Sequence, residues 1–150
     1  MKVIDYIVEE VARQGHDVSA LDGIERVGWM LDAWSYALRA KYRKPTVQDA
    51  IILGKMVESR KNINGLRQCA VRVGNRICPD WQTVPESLER LFEHGNMLTP
   101  LEFYKAFEEI HPFVDGNGRV GKVVYCWLLG KLLDPVFPPS DLFGTPILNP

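Results

Sequence analysis

The sequence lacks any run of 18 consecutive apolar residues, which is about the length that a helix needs to cross a bilayer. Its longest strongly apolar run, Val123 to Leu129, is far shorter. The first residues, Met1 to Gln14, alternate charged and apolar side chains, so they lack the continuous apolar core of a signal peptide. We therefore expect no membrane partner and a soluble, cytoplasmic protein.

The chain also lacks an excess of charge of either sign. It has 18 Lys and Arg residues against 19 Asp and Glu residues, for a formal net charge of -1. Without a basic excess there is no global electrostatic reason to expect nucleic acid as a partner. The three cysteines, Cys69, Cys78 and Cys126, are odd in number and lack the close paired spacing of zinc or redox sites. We expect neither a disulfide framework nor a cysteine metal site.

Most of the chain is predicted to be helical and to form a single domain over residues 1–150, because this length supports one hydrophobic core. The spacing of apolar residues predicts helices over 2–14 and 21–43, from Thr46 to near Asn62, after Pro85, and from Thr99 to Ile110. Thr99 and Glu102 form the pattern of a capping box around Pro100. The proline-rich residues 134–150 have no clear periodicity and are predicted to be irregular.

The stretch from Asn62 to Pro79 loses helical periodicity. Two short runs, Leu66 to Gln68 and Val71 to Val73, lie between Gly65 and Gly74, which predicts a small hairpin or extended flap. This stretch carries three arginines, Arg67, Arg72 and Arg76. They either form a solvated basic edge that discourages aggregation, or mark a strand edge that receives an extended peptide from a partner.

Polar side chains are concentrated between Ile110 and Lys122, directly before an apolar segment. His111 precedes Pro112, and a residue before proline is biased out of helical geometry, so His111 is predicted to lie at a helix end. Gly116, Asn117 and Gly118 can direct successive backbone N–H groups into one concave nest, and a nest at a helix N-terminus binds anions.

Two cations follow this nest. Arg119 and Lys122 are three residues apart and lie on one side of the next helix, near its N-terminus. Cations at that end oppose the helix dipole, which is unfavourable unless an anion is present. The combination of a nest, a dipole and two cations predicts a polyphosphate ligand.

Asp115 and His111 add two further chemical functions. A carboxylate beside a phosphate is repelled unless Mg²⁺ lies between them, and Mg²⁺ in proteins commonly binds one or two carboxylates plus phosphate oxygens and water. We therefore predict that Asp115 is a magnesium ligand. His111, whose ordinary pKa is about 6.5, is the side chain best placed to accept a proton from an attacking hydroxyl group.

Residues 111–119, HPFVDGNGR, resemble the signature of the Fic (filamentation induced by cAMP) family, H-x-F-x-[D/E]-G-N-G-R-x-x-R. All fixed positions from His111 through Arg119 are present. The preceding LTPLEFYKAFEEI resembles the helix before the motif, and NGLRQCAVRVG resembles the family's flap. The resemblance covers roughly residues 46–133 and implies a mainly α fold, a Fic-like helical bundle with a small β-hairpin flap around Gly65–Gly74.

The resemblance also implies an activity. Fic proteins typically transfer AMP from ATP to a Ser, Thr or Tyr hydroxyl of a target protein, which the flap aligns, and release pyrophosphate. By match to the motif, His111 is the general base and Asp115 is the Mg²⁺ ligand. Arg119 binds the phosphates and steadies the leaving group. The phosphate cradle is made of Gly116, Asn117 and Gly118.

Two departures from the family pattern leave alternatives open. Lys122 replaces the last arginine of the motif, and lysine lacks the planar fork that grips two oxygens at once. The inhibitory pattern [S/T]-x-x-x-E-[G/N] of many members is absent, so we expect either inhibition by a separate antitoxin or no inhibition of this kind. The alternatives are phosphate transfer, as in the related death-on-curing toxins, and a nucleotide-binding or partner-binding module without catalysis.

Overall fold

The computed structural model describes residues 1–140 and has the mainly α architecture that the sequence predicts, with a small two-stranded antiparallel sheet. The elements are α1 (Val3–Arg13), α2 (Leu21–Ala40), α3 (Val47–Val57), β1 (Arg72–Val73), β2 (Arg76–Ile77), α4 (Val84–Glu93), α5 (Pro100–Ile110) and α6 (Asn117–Leu129). Among the helices of residues 1–140, none is both long enough and apolar enough to cross a membrane. Of segment 134–150, which is predicted to be irregular, residues 141–150 lie outside the part of the chain that the structure describes.

Two helices begin with capping boxes, of which the sequence predicts the one at α5. The Thr46 hydroxyl accepts a hydrogen bond from the Asp49 backbone N–H, and the Asp49 carboxylate accepts one from the Thr46 backbone N–H. Thr99 and Glu102 form the same reciprocal pair at the start of α5. Each box satisfies two backbone donors that the first helical turn leaves unpaired. The starts of α3 and α5 are therefore fixed by local sequence.

Helix α6 lies at the centre of the fold, because every residue from Asn117 to Trp127 is buried. It packs against α5, α3 and α2. A Cβ atom at Gly121 would lie 2.5 Å from the Glu108 carboxylate and 3.1 Å from the Tyr104 ring, so the close approach of α5 and α6 requires glycine there. The two helices that flank the histidine-containing loop are thus packed tightly together.

The chain after α6 fastens α1 and α2 to this centre. The Tyr6 hydroxyl donates to the Val136 carbonyl at 3.0 Å, and the Trp34 indole N–H donates to the Leu132 carbonyl at 2.7 Å. The Phe137 ring stacks on the Tyr6 ring, with centroids 4.0 Å apart. As a result α1 is held against α6, which brings a side chain from the start of the sequence to the candidate site.

Helix α3 ends earlier than predicted. It stops at Val57 instead of near Asn62, and Glu58 leaves helical geometry at φ -143°. The Asn62 side chain donates to the Gly54 carbonyl at 2.9 Å and to the Asp115 carbonyl at 2.8 Å. These two bonds bind the turn after α3 both to its own helix and to the loop before α6, which a continued helix could not do.

A hairpin is present, and the predicted run Val71 to Val73 contains its first strand, but the predicted position of the other strand was wrong. Arg72 pairs with Ile77 and Val73 pairs with Arg76, so the hairpin turns at Gly74 instead of ending there. The run Leu66 to Gln68 is not a strand of this hairpin. It lies beside the loop after α5, where the Arg67 backbone N–H donates to the Pro112 carbonyl at 2.9 Å. The hairpin is therefore shorter and later in the chain than its apolar pattern suggests.

Candidate active site

His111 lies at the C-terminal cap of α5 in left-handed geometry, with φ 51° and ψ 65°. Within residues 1–140 it is the one non-glycine residue with positive φ. This conformation is uncommon outside glycine, and Pro112 disfavours the helical alternative. Its side chain is only 1% exposed. The chain therefore turns sharply at the histidine, as the proline predicts, and holds its imidazole inside the protein.

A buried arginine stabilises this turn. The Arg67 guanidinium donates from Nε to the His111 carbonyl at 2.7 Å, and its other nitrogens donate to the carbonyls of Pro79 at 2.6 Å and Cys69 at 3.0 Å. The expectation of a solvated basic edge was wrong for Arg67, which is 2% exposed. Burial lowers its pKa. Cys69 is two residues away, but the His111 and Pro79 carbonyls lie 44 and 12 residues along the chain, so no sequence pattern identifies this role.

The surroundings of His111 favour the neutral imidazole. Burial, together with the positive charges of Arg76 and Arg67, lowers the pKa of His111 from 6.5 to about 4. Its Nδ1 atom has no hydrogen-bond partner among residues 1–140. A histidine with this pKa is neutral at pH 7, and a neutral imidazole has one ring nitrogen that can accept a proton, which is the state that a general base requires.

Asp115 lies in the loop between α5 and α6 with both carboxylate oxygens engaged. Oδ1 accepts from the Gly116 backbone N–H at 2.7 Å, and Oδ2 accepts from the Lys61 ammonium at 2.8 Å. Burial acts to raise the pKa of Asp115, but hydrogen bonds from Lys61 and Gly116 and the charge of Arg119 outweigh it, and the pKa is lowered. Asp115 is therefore a charged carboxylate at neutral pH.

This donor set fits a magnesium ion that arrives with a nucleotide. No group of three or more His, Cys, Asp or Glu side chains suitable for a metal occurs within the described residues. A metal at Asp115 would thus draw its remaining ligands from water in the free protein, and from phosphate oxygens as well when a nucleotide is bound. Mg²⁺ commonly binds in this way, whereas metals held in dedicated protein cages do not.

The predicted phosphate cradle is the N-terminus of α6. Gly116 is its N-terminal cap, with φ 79°, and a Cβ atom there would lie 2.9 Å from a methyl group of Val57. The Asn117 side chain accepts from the Phe113 N–H at 2.8 Å and donates to the Phe113 carbonyl at 2.9 Å. The Asn117 side chain therefore fixes the shape of the loop. The predicted nest includes the backbone N–H groups of Asn117 and Gly118, which lie in the first turn of α6.

Arg119 is buried and already paired with a carboxylate. It donates to the Val57 carbonyl at 3.0 Å and to Glu58 at 3.1 Å, and it lies 3.7 Å from Asp115 Oδ1. Arg26 of α2 donates to the same Glu58 carboxylate. Sequence reasoning missed Glu58 and Arg26, because each lies far from the motif and carries no local signal.

Lys122 is also paired. Its ammonium lies 2.9 Å from Glu10 Oε2 on α1 and 3.4 Å from the Tyr104 hydroxyl. The argument that the two cations need a bound anion was therefore wrong for the free protein, in which Glu58 and Glu10 supply the negative charges. Glu10 falls outside the inhibitory pattern because the residue four positions before it is Tyr6. Its Oε1 atom has no partner within residues 1–140.

Two cavities border the chain segment 64–68, which lies next to the motif loop. A cavity of about 610 Å³ lies on one side and is lined by Ile51, Leu66, Trp81 and Pro85 among others. A smaller cavity of about 170 Å³ is lined by Lys61 and Val114. The second cavity borders the motif loop at Val114, the residue before Asp115.

The structure therefore gathers His111, Asp115 and Arg119 around the loop between α5 and α6, with Lys122 one turn further along α6. No curated protein matches this chain. A family model described as Fic/DOC family matches residues 40–129, which is more than half of the chain and includes every motif residue. The chain therefore belongs to the Fic/DOC family.

Proposed function

We propose that this protein transfers AMP from ATP to a Ser, Thr or Tyr hydroxyl group of a target protein and releases pyrophosphate. Members of the Fic/DOC family generally carry out AMP transfer or a related transfer. The observation that carries the proposal is the pairing of a neutral histidine with a charged aspartate in the loop that opens α6. That pair offers a proton acceptor and a metal-binding carboxylate beside an anion-binding helix end.

In the proposed reaction, the oxygen of the target hydroxyl attacks the α-phosphorus of ATP. The bond from the α-phosphorus to the oxygen bridging to the β-phosphorus breaks, and pyrophosphate leaves. The hydroxyl proton passes to His111, which is neutral because burial lowers its pKa to about 4. Arg67 acts as a positioning residue in this step, since its guanidinium holds the His111 carbonyl.

The phosphates are proposed to bind the N-terminus of α6 through the backbone N–H groups of the Gly116–Gly118 segment and the Arg119 guanidinium. Arg119 is oriented in advance by Val57 and Glu58, so little reorganisation is needed when charge develops on the leaving group. Asp115 would hold Mg²⁺, which neutralises phosphate charge when it is bound.

The target protein is proposed to dock along the flap, near segment 65–74. The Arg76 side chain donates to the carbonyls of Glu109 at 3.3 Å and Glu108 at 3.4 Å, so the hairpin lies over the end of α5 that carries His111. An extended target segment paired with the flap would place its hydroxyl group near the imidazole. A separate antitoxin remains a proposed second partner.

A binding module without catalysis is the second candidate, because Lys122 replaces the last motif arginine and is paired with Glu10. Phosphate transfer at the same site is the third outcome to be distinguished. The experiment incubates the protein with Mg²⁺, a cell lysate, and ATP labelled on either the α-phosphate or the γ-phosphate. His111→Ala is compared with wild type, and His94→Ala, at an exposed position, is the matched control.

AMP transfer predicts α-label on protein that is lost in His111→Ala and kept in His94→Ala. Labelling from the γ-phosphate alone would refute AMP transfer and assign phosphate transfer. The absence of both labels, with ATP binding measurable by calorimetry, would refute catalysis and assign the binding module.

A further inference from the structure

Lys61 lies at the position where a cation bound to Asp115 would be expected. Its ammonium is 2.8 Å from Asp115 Oδ2, the carboxylate oxygen that does not bond to the Gly116 N–H. The Asp115 side chain is 9% exposed, whereas that of Lys61 is 50% exposed. A half-exposed lysine side chain thus reaches from the surface to a nearly buried carboxylate.

The backbone around Lys61 is fixed by its neighbour. Asn62 is 1% exposed and donates to the Asp115 carbonyl at 2.8 Å, while its own backbone N–H donates to the Glu58 carbonyl at 2.9 Å. The turn that carries Lys61 is therefore bound to the same residue that its side chain contacts. The ion pair follows from the architecture of the turn, and its half-exposed ammonium is free to move away.

We propose that Lys61 and the divalent cation compete for Asp115, so that Lys61 neutralises the carboxylate in the free protein and leaves it when the metal binds. This inference rests on the proposed function, which assigns the metal to Asp115. An ammonium and a metal ion at one carboxylate oxygen repel each other, so each weakens the binding of the other. Lys61 thereby sets the concentration of metal that the site requires.

The size of the effect follows from the exposure of Lys61. Half-exposed ion pairs contribute up to about 1 kcal/mol, so removing the competitor should tighten metal binding by up to about fivefold. The probe is Mn²⁺ alone, titrated into the full chain at low ionic strength. The readout is the paramagnetic relaxation of the Gly116 backbone amide, which adjoins Asp115, and it does not depend on turnover.

Four variants test the proposal. Lys61→Gln removes the competitor, and Lys61→Arg keeps a cation of similar reach. Lys55→Gln removes the same charge from an exposed lysine of α3 whose side chain lies near Gly65. Asp115→Asn removes the carboxylate. We expect at least threefold tighter Mn²⁺ binding for Lys61→Gln, wild-type affinity for Lys61→Arg and Lys55→Gln, and no binding for Asp115→Asn.

Two failures are distinguishable. If Asp115→Asn abolishes Mn²⁺ binding while Lys61→Gln leaves it unchanged or weaker, or while Lys55→Gln tightens it equally, competition by Lys61 is refuted and the metal assignment stands. If relaxation at Gly116 persists in Asp115→Asn, the metal does not bind Asp115. The competition is then overturned together with that part of the proposed function.

Discussion

Replacing Glu10 with glutamine should make the free protein less stable and its nucleotide complex tighter. Glu10 and Lys122 form a nearly dry ion pair, with side chains 0% and 7% exposed and 2.9 Å between Oε2 and Nζ. Removing one partner of a buried pair leaves the other charge uncompensated, at a cost of about 3–5 kcal/mol. Glutamine preserves the volume, so we expect the free energy of unfolding to fall by about 3 kcal/mol.

A bound phosphate changes this balance, because it supplies the negative charge that Lys122 has lost. In wild type, Lys122 must leave Glu10 before it can contact a phosphate. In Glu10→Gln that cost is absent, so ATP affinity should rise, by an upper limit of about 100-fold if the full 3 kcal/mol appears in binding. Urea denaturation followed by circular dichroism, with and without ATP and Mg²⁺, measures the first effect, and calorimetry measures the second.

The matched control is Glu9→Gln, on the same helix, since within residues 1–140 Glu9 forms its one ion pair with Arg13 at the surface. Its stability and ATP affinity should remain close to those of wild type. If Glu10→Gln lowers stability but leaves ATP affinity unchanged, Lys122 does not bind phosphate and its pair with Glu10 is purely structural. If stability changes by less than about 0.5 kcal/mol, the reasoning from burial is itself refuted.

Three further predictions concern the remaining site residues. The pKa of His111 is lowered from 6.5 to about 4, so between these pH values the native state binds fewer protons than the unfolded state. The free energy of unfolding should therefore fall by about 3 kcal/mol as the pH drops from 6.5 to 4, and should not depend on His111 above pH 6.5. An NMR titration of the imidazole checks this, and a midpoint near 6.5 would contradict it. Arg67→Lys should lower stability by about 2–4 kcal/mol in urea denaturation, because several charge-assisted hydrogen bonds to buried carbonyls are lost. The exposed Arg72→Lys should change stability by less than about 0.5 kcal/mol, and equal effects would rule out the buried role of Arg67. Lys122→Arg should increase the rate of AMP transfer in the labelled-ATP assay, because arginine can bind two oxygens of the terminal phosphate at once. An unchanged or lower rate would show that binding of the terminal phosphate does not limit the rate.

The helices could be predicted because their causes are local, although α3 ends earlier than its apolar spacing suggests. Apolar spacing marks the buried faces, and the reciprocal bonds of Thr46 with Asp49 and of Thr99 with Glu102 involve residues three apart. The turn at His111 follows from Pro112 in the same way. One strand of the hairpin was misplaced because short strands depend on hydrogen bonds to distant parts of the chain. The Arg67 backbone N–H donates to the Pro112 carbonyl, so the run around Arg67 does not pair with β1.

The motif from His111 to Arg119 was also readable from the sequence, because residue types that can bind phosphate and a metal occur there in one continuous stretch. Sequence alone assigned the chemistry of this loop and, through the family resemblance, the expected reaction. It could not identify the partners of these residues in the free protein. Those partners come from α1, α2 and the turn after α3: Glu10, Arg26, Glu58 and Lys61.

The sequence by itself therefore determined the helical pattern, the capping of α3 and α5, and the chemical content of the loop before α6. Only the tertiary structure decided which ion pairs form, namely Lys122 with Glu10, Arg119 with Glu58, and Lys61 with Asp115. The physical reason is the range of the interactions. Helix periodicity and capping act over three or four residues, whereas an ion pair forms between any two charges that packing of the core brings within about 4 Å, however far apart they lie along the chain.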